Sequence, residues 1–267
     1  MNYFVVDAFA ETPFTGNPAG VYLSDQKLNE PLMQRIAMEN NLAETAFPVK
    51  NGGSWDLRWF TPETEIDLCG HATLATAFIL SRFVEPERRD FTFNTASGIL
   101  HVTKKGDLFE MDFPSRKPVP EAVTPLMRQV FGDSVLEAYR SRDIMLVLPS
   151  EAAVRDLRPN MALMMEIPNC FGVIVTAKAE RSSTAEQHSA YDFVSRYFAP
   201  DAGIPEDPVT GSSHCTLIPF WAERLGKTEM TARQLSSRGG TLYCKDSGER
   251  VLIAGKASLY LQGEILL

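Results

Sequence analysis

Three ionisable side chains, Glu44, His71 and Asp207, stand in stretches whose neighbours could put them to chemical use. The densest polar stretch is Thr61-Pro62-Glu63-Thr64-Glu65-Ile66-Asp67-Leu68-Cys69-Gly70-His71-Ala72-Thr73. There a strand-like segment ends and a helix begins at a Cys-Gly-His step. Free backbone N–H groups at a helix start hold a carboxylate or phosphate, and glycine lets that anion come close. His71 then stands at the rim of an anion site, or it only caps and packs the helix. A second such step is Glu206-Asp207-Pro208-Val209-Thr210-Gly211-Ser212-Ser213-His214, where Gly211-Ser212 offers N–H groups and Asp207 projects nearby. Asp207 reads equally as a plain capping acid at a helix N-terminus. His214, further into that helix, reads as a packed or rim histidine. Glu44, in Asn40-Asn41-Leu42-Ala43-Glu44-Thr45-Ala46-Phe47, reads from its neighbours as an ordinary exposed glutamate; a strand entry that desolvated it would suit it to proton transfer instead.

Cys69 precedes a helix start, where a thiolate is stabilised. Two opposed thiols would make a racemase, but the repeat described below puts Thr210 opposite Cys69, and threonine is no base at neutral pH. The other cysteines, Cys170, Cys215 and Cys244, form no CxxC pair and read as core. No dinucleotide, P-loop, HExxH or GxSxG motif is present, and His71, His101, His188 and His214 have no metal spacing. No lysine stands inside these constellations to carry pyridoxal phosphate. The expectation is therefore no cofactor and no metal.

The elements that must carry these residues read as a mixture of strands and helices. Strands are expected at 3–9, 45–49, 57–60, 90–94, 100–103, 108–112, 144–148, 171–176, 241–244, 250–254 and 257–261, with a turn-rich loop at 12–20. Helices are expected at 31–40, 70–82, 121–130, 189–198 and 211–225, the last closed by Gly226. Residues 180–188 are polar and read as a surface loop. Three prolines within 114–120 mark the clearest boundary. On either side the chain repeats itself: Gly70 and Gly211 open helices, Gly98 and Gly239 mark turns at the same offset, and Gly106 matches Gly248 with one extra residue. Lobes are expected over 1–115 and 121–256, with 257–267 a terminal strand belonging to either. Two like lobes would leave a cleft between equivalent helix starts.

The chain has 267 residues and a net charge of -8, and 44% of it is hydrophobic, so a packed core is expected and nucleic-acid binding is not. A local basic pocket is still compatible with that balance. The N-terminus lacks a basic secretory leader, and the apolar run 68–81 is too short to span a membrane. The reading is a soluble, cytoplasmic protein.

Taken in order, Asp7-Ala8-Phe9, Phe14-Thr15-Gly16-Asn17-Pro18-Ala19-Gly20, Asn41 to Phe47, Arg58-Trp59-Phe60-Thr61-Pro62, Glu65 to Thr73 and Glu206 to Ser212 resemble the PhzF family, the phenazine-biosynthesis-like proteins of the diaminopimelate epimerase fold. The resemblance spans nearly the whole chain. It implies an α+β fold of two pseudo-symmetric lobes, each a curved, barrel-like sheet around a central helix, and a homodimer. It implies cofactor-independent isomerisation of a small carboxylated amino- or hydroxy-compound, as in trans-2,3-dihydro-3-hydroxyanthranilate isomerase. Glu44 matches the family's acid/base, His71 its active-site histidine and Asp207 the aspartate of its Glu-Asp-Pro motif. Asn17, Gly70, His71, Gly211 and Ser212 match positions that hold substrate. Two features depart from the pattern: Cys69 keeps a thiol seen in the epimerase branch, and His214 puts an imidazole where small residues leave space. A catalytically silent binding protein and an amino-acid epimerase or racemase are the alternatives.

Overall fold

A computed structural model describes residues 2–24, 27–180 and 191–266. The chain divides into two compact units, one of residues 1–112 and 254–267, the other of residues 113–253. Among the described residues no helix is long and apolar enough to cross a membrane.

The first unit runs β1 (Asn2–Ala8), β2 (Asn17–Leu23), α1 (Glu30–Asn40), β3 (Glu44–Asn51), β4 (Ser54–Phe60), β5 (Glu65–Ile66), α2 (Gly70–Phe83), β6 (Asp90–Thr95), β7 (Gly98–Lys105) and β8 (Leu108–Pro114). Its sheet pairs β1 with β2 antiparallel, β2 with β3 parallel, β3 with β4 antiparallel, β4 with β6 parallel, and β6 with β7 and β7 with β8 antiparallel. Helix α2 lies inside it. Residues His71 to Ala77, Ile79, Leu80 and Ser81 are all buried, so the helix has almost no solvent face, as its run of small and apolar residues requires. On the other side α1 covers Tyr3, Tyr22, Phe47 and Phe60 with Met33 and Ile36. Asn29 caps it, accepting from the Leu32 N–H, and Asn41 ends it in a left-handed conformation.

The second unit runs β9 (Val119–Glu121), α3 (Pro125–Phe131), β10 (Glu137–Arg140), β11 (Ile144–Val147), α4 (Glu151–Asp156), α5 (Met161–Met164), β12 (Val173–Lys178), β13 (Phe193–Phe198), α6 (His214–Leu225), β14 (Glu229–Gln234), β15 (Gly240–Asp246) and β16 (Arg250–Gly255). β10 and β11 are antiparallel, β11 and β12 parallel, β12 and β13 antiparallel, β13 and β14 parallel, β14 and β15 antiparallel. That is the alternation of the first unit, again around one buried helix, here α6. The fold is therefore α+β with two pseudo-symmetric lobes. The last strand, β17 (Ala257–Glu264), belongs to the first unit and lies antiparallel to β1. Of the repeated glycines, Gly98, Gly106, Gly239 and Gly248 all have positive φ at hairpin connections.

Several expected elements differ. The segment expected as a helix over 189–198 holds the strand β13, and residues 189–190 lie outside the described residues. Every residue of β13 is buried and it pairs on both sides, so a central strand replaces the alternation that would have revealed it. The helix expected from 121 begins at Pro125, with Thr124 as its cap accepting from Met127 N–H. The helix expected from Gly211 begins at His214; residues 211–213 form a turn, and the His214, Cys215 and Thr216 N–H groups bond three residues back. β2, β10 and β14 were not expected as strands. Of the loop expected at 180–188, all but Glu180 lies outside the described residues.

His214 is fully buried in the first turn of α6, packed near the Phe193 ring. Its Nδ1–H donates to the Thr210 carbonyl at 2.9 Å, and Nε2 has no hydrogen-bond partner. Burial holds the imidazole neutral and pushes its pKa down to about 4, only partly offset by that bond. A folded value below the unfolded one of 6.5 means full stability above pH 6.5 and loss as pH falls towards 4, amounting to roughly 3 kcal/mol. Urea unfolding across pH 4–7 of wild type and His214→Gln should therefore differ in slope, with the variant losing less stability on acidification. Parallel curves would mean that His214 titrates alike in both states.

Candidate active site

The first unit brings Asn17, Glu44, Cys69 and His71 together. Glu44 is the first residue of β3, in register with Ala19 of β2, which is two residues beyond Asn17. His71 is the second residue of α2, just past the Cys69 cap and Gly70. Its Nε2 lies 2.9 Å from Glu44 Oε2. The alignment falls short of an ordinary hydrogen bond, and neither atom has another partner. On the opposite edge of the ring, Nδ1 is flanked by the Asn17 amide nitrogen at 3.4 Å and the Cys69 sulfur at 3.5 Å. Asn17 is fully buried, and Glu44 and His71 are each 7% exposed. The β1–β2 connection that delivers Asn17 turns at Gly16, with φ of 71°; a Cβ there would stand 2.2 Å from the Ala8 carbonyl.

Burial draws the His71 pKa down, but neighbouring negative charge from Cys69 and Glu44, with their hydrogen bonds, more than reverses this and leaves it well above 6.5. Burial and the nearby Glu44 charge push the Cys69 thiol up, against the opposing pull of His71 and the Ala72 N–H. Glu44 at Nε2 and Cys69 at Nδ1 thus both favour the imidazolium. The proton on His71 is kept as pH rises past 6.5, and the pair's contribution to stability is lost only as pH passes the raised folded value.

Glu44, Cys69 and His71 offer donor atoms within 4.8 Å of one another. Their arrangement suits a metal poorly. Cys69 and Glu44 address opposite ring nitrogens, and one ion takes only one of them. Cys69 is equally ill-placed as a catalytic base, being buried and protonated.

The second unit holds Asp207, Gly211 and Ser212. Asp207 N–H donates to the Tyr197 carbonyl at 3.0 Å, and the Thr210 hydroxyl donates to Asp207 Oδ2. Gly211 and Ser212 form the turn that leads into α6. The residue that organises this segment escaped the sequence reading. Gln234, fully buried at the end of β14, accepts from Thr210 N–H at 2.9 Å and donates to the Asp207 carbonyl at 2.7 Å and the Thr210 hydroxyl at 3.3 Å. Ser236 adds a bond from its hydroxyl to the Pro208 carbonyl. A glutamine at the end of a strand gives no local signal of such a role. Its only cue is the repeat, which brings the strand after the helix back beside the helix start.

Comparison with known proteins gives the site its context. The model of the phenazine biosynthesis-like (PhzC-PhzF) family matches residues 6–263. An uncharacterized isomerase of Pseudomonas aeruginosa is 45% identical, covering 100% of this chain and 99% of its own. The crystal structure of a PhzF-family phenazine biosynthesis protein from Enterococcus faecalis superposes with a TM-score of 0.95 at 46% identity, covering 100% of this chain and 99% of that one. A PhzC/PhzF protein from Clostridium difficile gives 0.92 at 47% identity, with both chains fully covered. Fold and relatives define an enzyme of the isomerase class. The chain belongs to the phenazine biosynthesis-like, or PhzF, family.

Replacing Gln234 by leucine strands the buried Thr210 N–H and removes a donor from the Asp207 carbonyl. The expected loss is about 1–3 kcal/mol in urea unfolding, with Gln234→Glu recovering none of the donation. Unchanged stability in Gln234→Leu would show that the loop holds itself.

Proposed function

We propose that the protein moves a proton within a small carboxylated amino- or hydroxy-compound without a cofactor, with Glu44 as the acid/base. The observation that carries this reading is the buried 2.9 Å contact between Glu44 and His71. An acid buried beside a cation is kept ready as a base, and exclusion of water strengthens both charges. Glu44 takes a proton from a carbon made labile by an adjacent carboxylate and conjugation, then returns it at a second carbon on the same face. His71 stabilises Glu44 while it is ionised and the developing negative charge once Glu44 carries the proton. In the first unit, backbone N–H groups at Gly70-His71 hold the substrate carboxylate and Asn17 fixes the His71 ring; in the second, Gly211-Ser212 offers a like pair of N–H groups and Asp207 an acceptor for an amino or hydroxyl group. A homodimer is the assembly we propose.

An epimerase of the two-thiol kind fits less well. Cys69 is buried with a raised pKa, and Thr210, its counterpart in the repeat, spends its hydroxyl on Asp207. One carboxylate serving two carbons needs no second base.

Proton NMR in deuterated water, with trans-2,3-dihydro-3-hydroxyanthranilate and related amino and hydroxy acids, tests the reading. Wild type should convert one of these with solvent-dependent loss of a carbon-bound proton signal. Glu44→Gln should lower turnover by about 100-fold or more while leaving binding within a few fold. Full activity of Glu44→Gln on a converted substrate would remove Glu44 as the acid/base. Binding without turnover across the panel would favour the silent-binder alternative.

A further inference from the structure

Pro219 lies inside α6 and has no N–H, so the Cys215 carbonyl loses its partner four residues on. The Arg116 backbone N–H takes that place at 2.9 Å. The proline-rich segment is thereby tied to the first turn of α6, and the Arg116 side chain is brought there with it. Its Nη1 is buried without a hydrogen-bond partner, and Arg116 forms no ion pair among the described residues. The charge of Arg116 acts on both Asp143 and Cys215.

The β10–β11 connection is held against the same turn by the Ser141 and Thr216 hydroxyls, 2.8 Å apart, and the charge of the adjacent Arg142 acts on the same two groups. Its guanidinium lies 4.7 Å from the exposed Phe171 ring, and its side chain is 39% exposed. Its polar contacts are loose: Nε is 3.3 Å from Asp143 Oδ1 and Nη2 is 3.5 Å from the Tyr197 hydroxyl, both longer than a charge-assisted bond. Asp143 is 1% exposed and accepts from the Tyr197 hydroxyl at 3.2 Å. The phenol fits there because residue 172 is glycine; a Cβ at that position would stand 2.2 Å from it. Burial raises the Asp143 pKa against the pull of Arg142, Tyr197 and Arg116, and this one carboxyl faces the charge of two guanidinium groups.

We propose that Arg116 and Arg142 form a binding site for a small oxyanion, a carboxylate or a phosphate, beside the first turn of α6. The anion takes the buried Nη1–H of Arg116 and the open edge of the Arg142 guanidinium, with Phe171 holding the latter flat. Arginine rather than lysine suits both positions, because a planar fork meets two oxygens at once. This site lies within the second unit and does not depend on the isomerase reading.

Isothermal titration and thermal unfolding of the full chain, with inorganic phosphate and with malonate at ionic strength held constant by sodium chloride, test it. Wild type should bind at least one of the two saturably, and the tighter one identifies the group. Arg116→Gln and Arg142→Gln should each weaken binding about ten- to a hundredfold. Arg116→Lys should recover part of it, and Lys117→Gln, which removes only a surface partner of Glu223, should leave it unchanged. Arg142→Gln carries the test alone if Arg116→Gln does not fold, since Arg142 is exposed. No saturable binding of either anion by wild type, or undiminished binding by Arg142→Gln, would overturn the proposal.

Discussion

An acid and an imidazole, both almost out of reach of water, face each other at 2.9 Å in the first unit. Each charge is tolerable only because the other is present; removing either strands its partner in a low-dielectric interior. That constraint fixes three elements at once. β3 must begin at Glu44 in register with β2, α2 must begin one residue before His71, and the β1–β2 connection must close tightly enough to bring Asn17 to the far edge of the ring. The enclosing sheet and the largely buried α2 hold the helix start and keep water from between the pair.

The second unit repeats the strand pairings but not the chemistry. Where the first has a cysteine, glycine and histidine at the helix start, the second has Thr210, Gly211 and Ser212. A neutral amide bridges that start, with Gln234 accepting from the Thr210 N–H and donating to the Asp207 carbonyl. Hydrogen bonds of this sort fix geometry without shifting charge. The halves also differ at the thiol: Cys69 is buried with a raised pKa, and its counterpart Thr210 is a hydroxyl donor to Asp207.

Much of this was legible beforehand. The Cys-Gly-His step announced a helix start, α2 runs over almost the expected residues, and glycine landmarks at matching offsets disclosed the two-lobe fold. The PhzF resemblance lay in motifs that survive as loops and element ends. What escaped is instructive in physical terms. β13 is buried on both faces, so no alternation betrays it, and burial of six consecutive residues is a property of its neighbours. β2 has a proline as its second residue and a glycine two residues on, composition that reads as a turn until β1 supplies its partner. Gln234 and the Glu44–His71 distance depend on strands far apart in sequence. Glu44 in particular read as exposed from its neighbours, whereas α2 and β2 bury it.

Nitrogen-15 NMR of the His71 ring as a function of pH tests the central pairing most directly, because it reads the proton on the imidazole itself. The imidazolium should persist well above pH 6.5 in the wild-type protein and give way at lower pH in Glu44→Gln, where the negative partner is gone. A His71 ring that is neutral by pH 6.5 in wild type, or one that titrates identically in both proteins, would contradict the account and leave Glu44 without the cation that holds it ready.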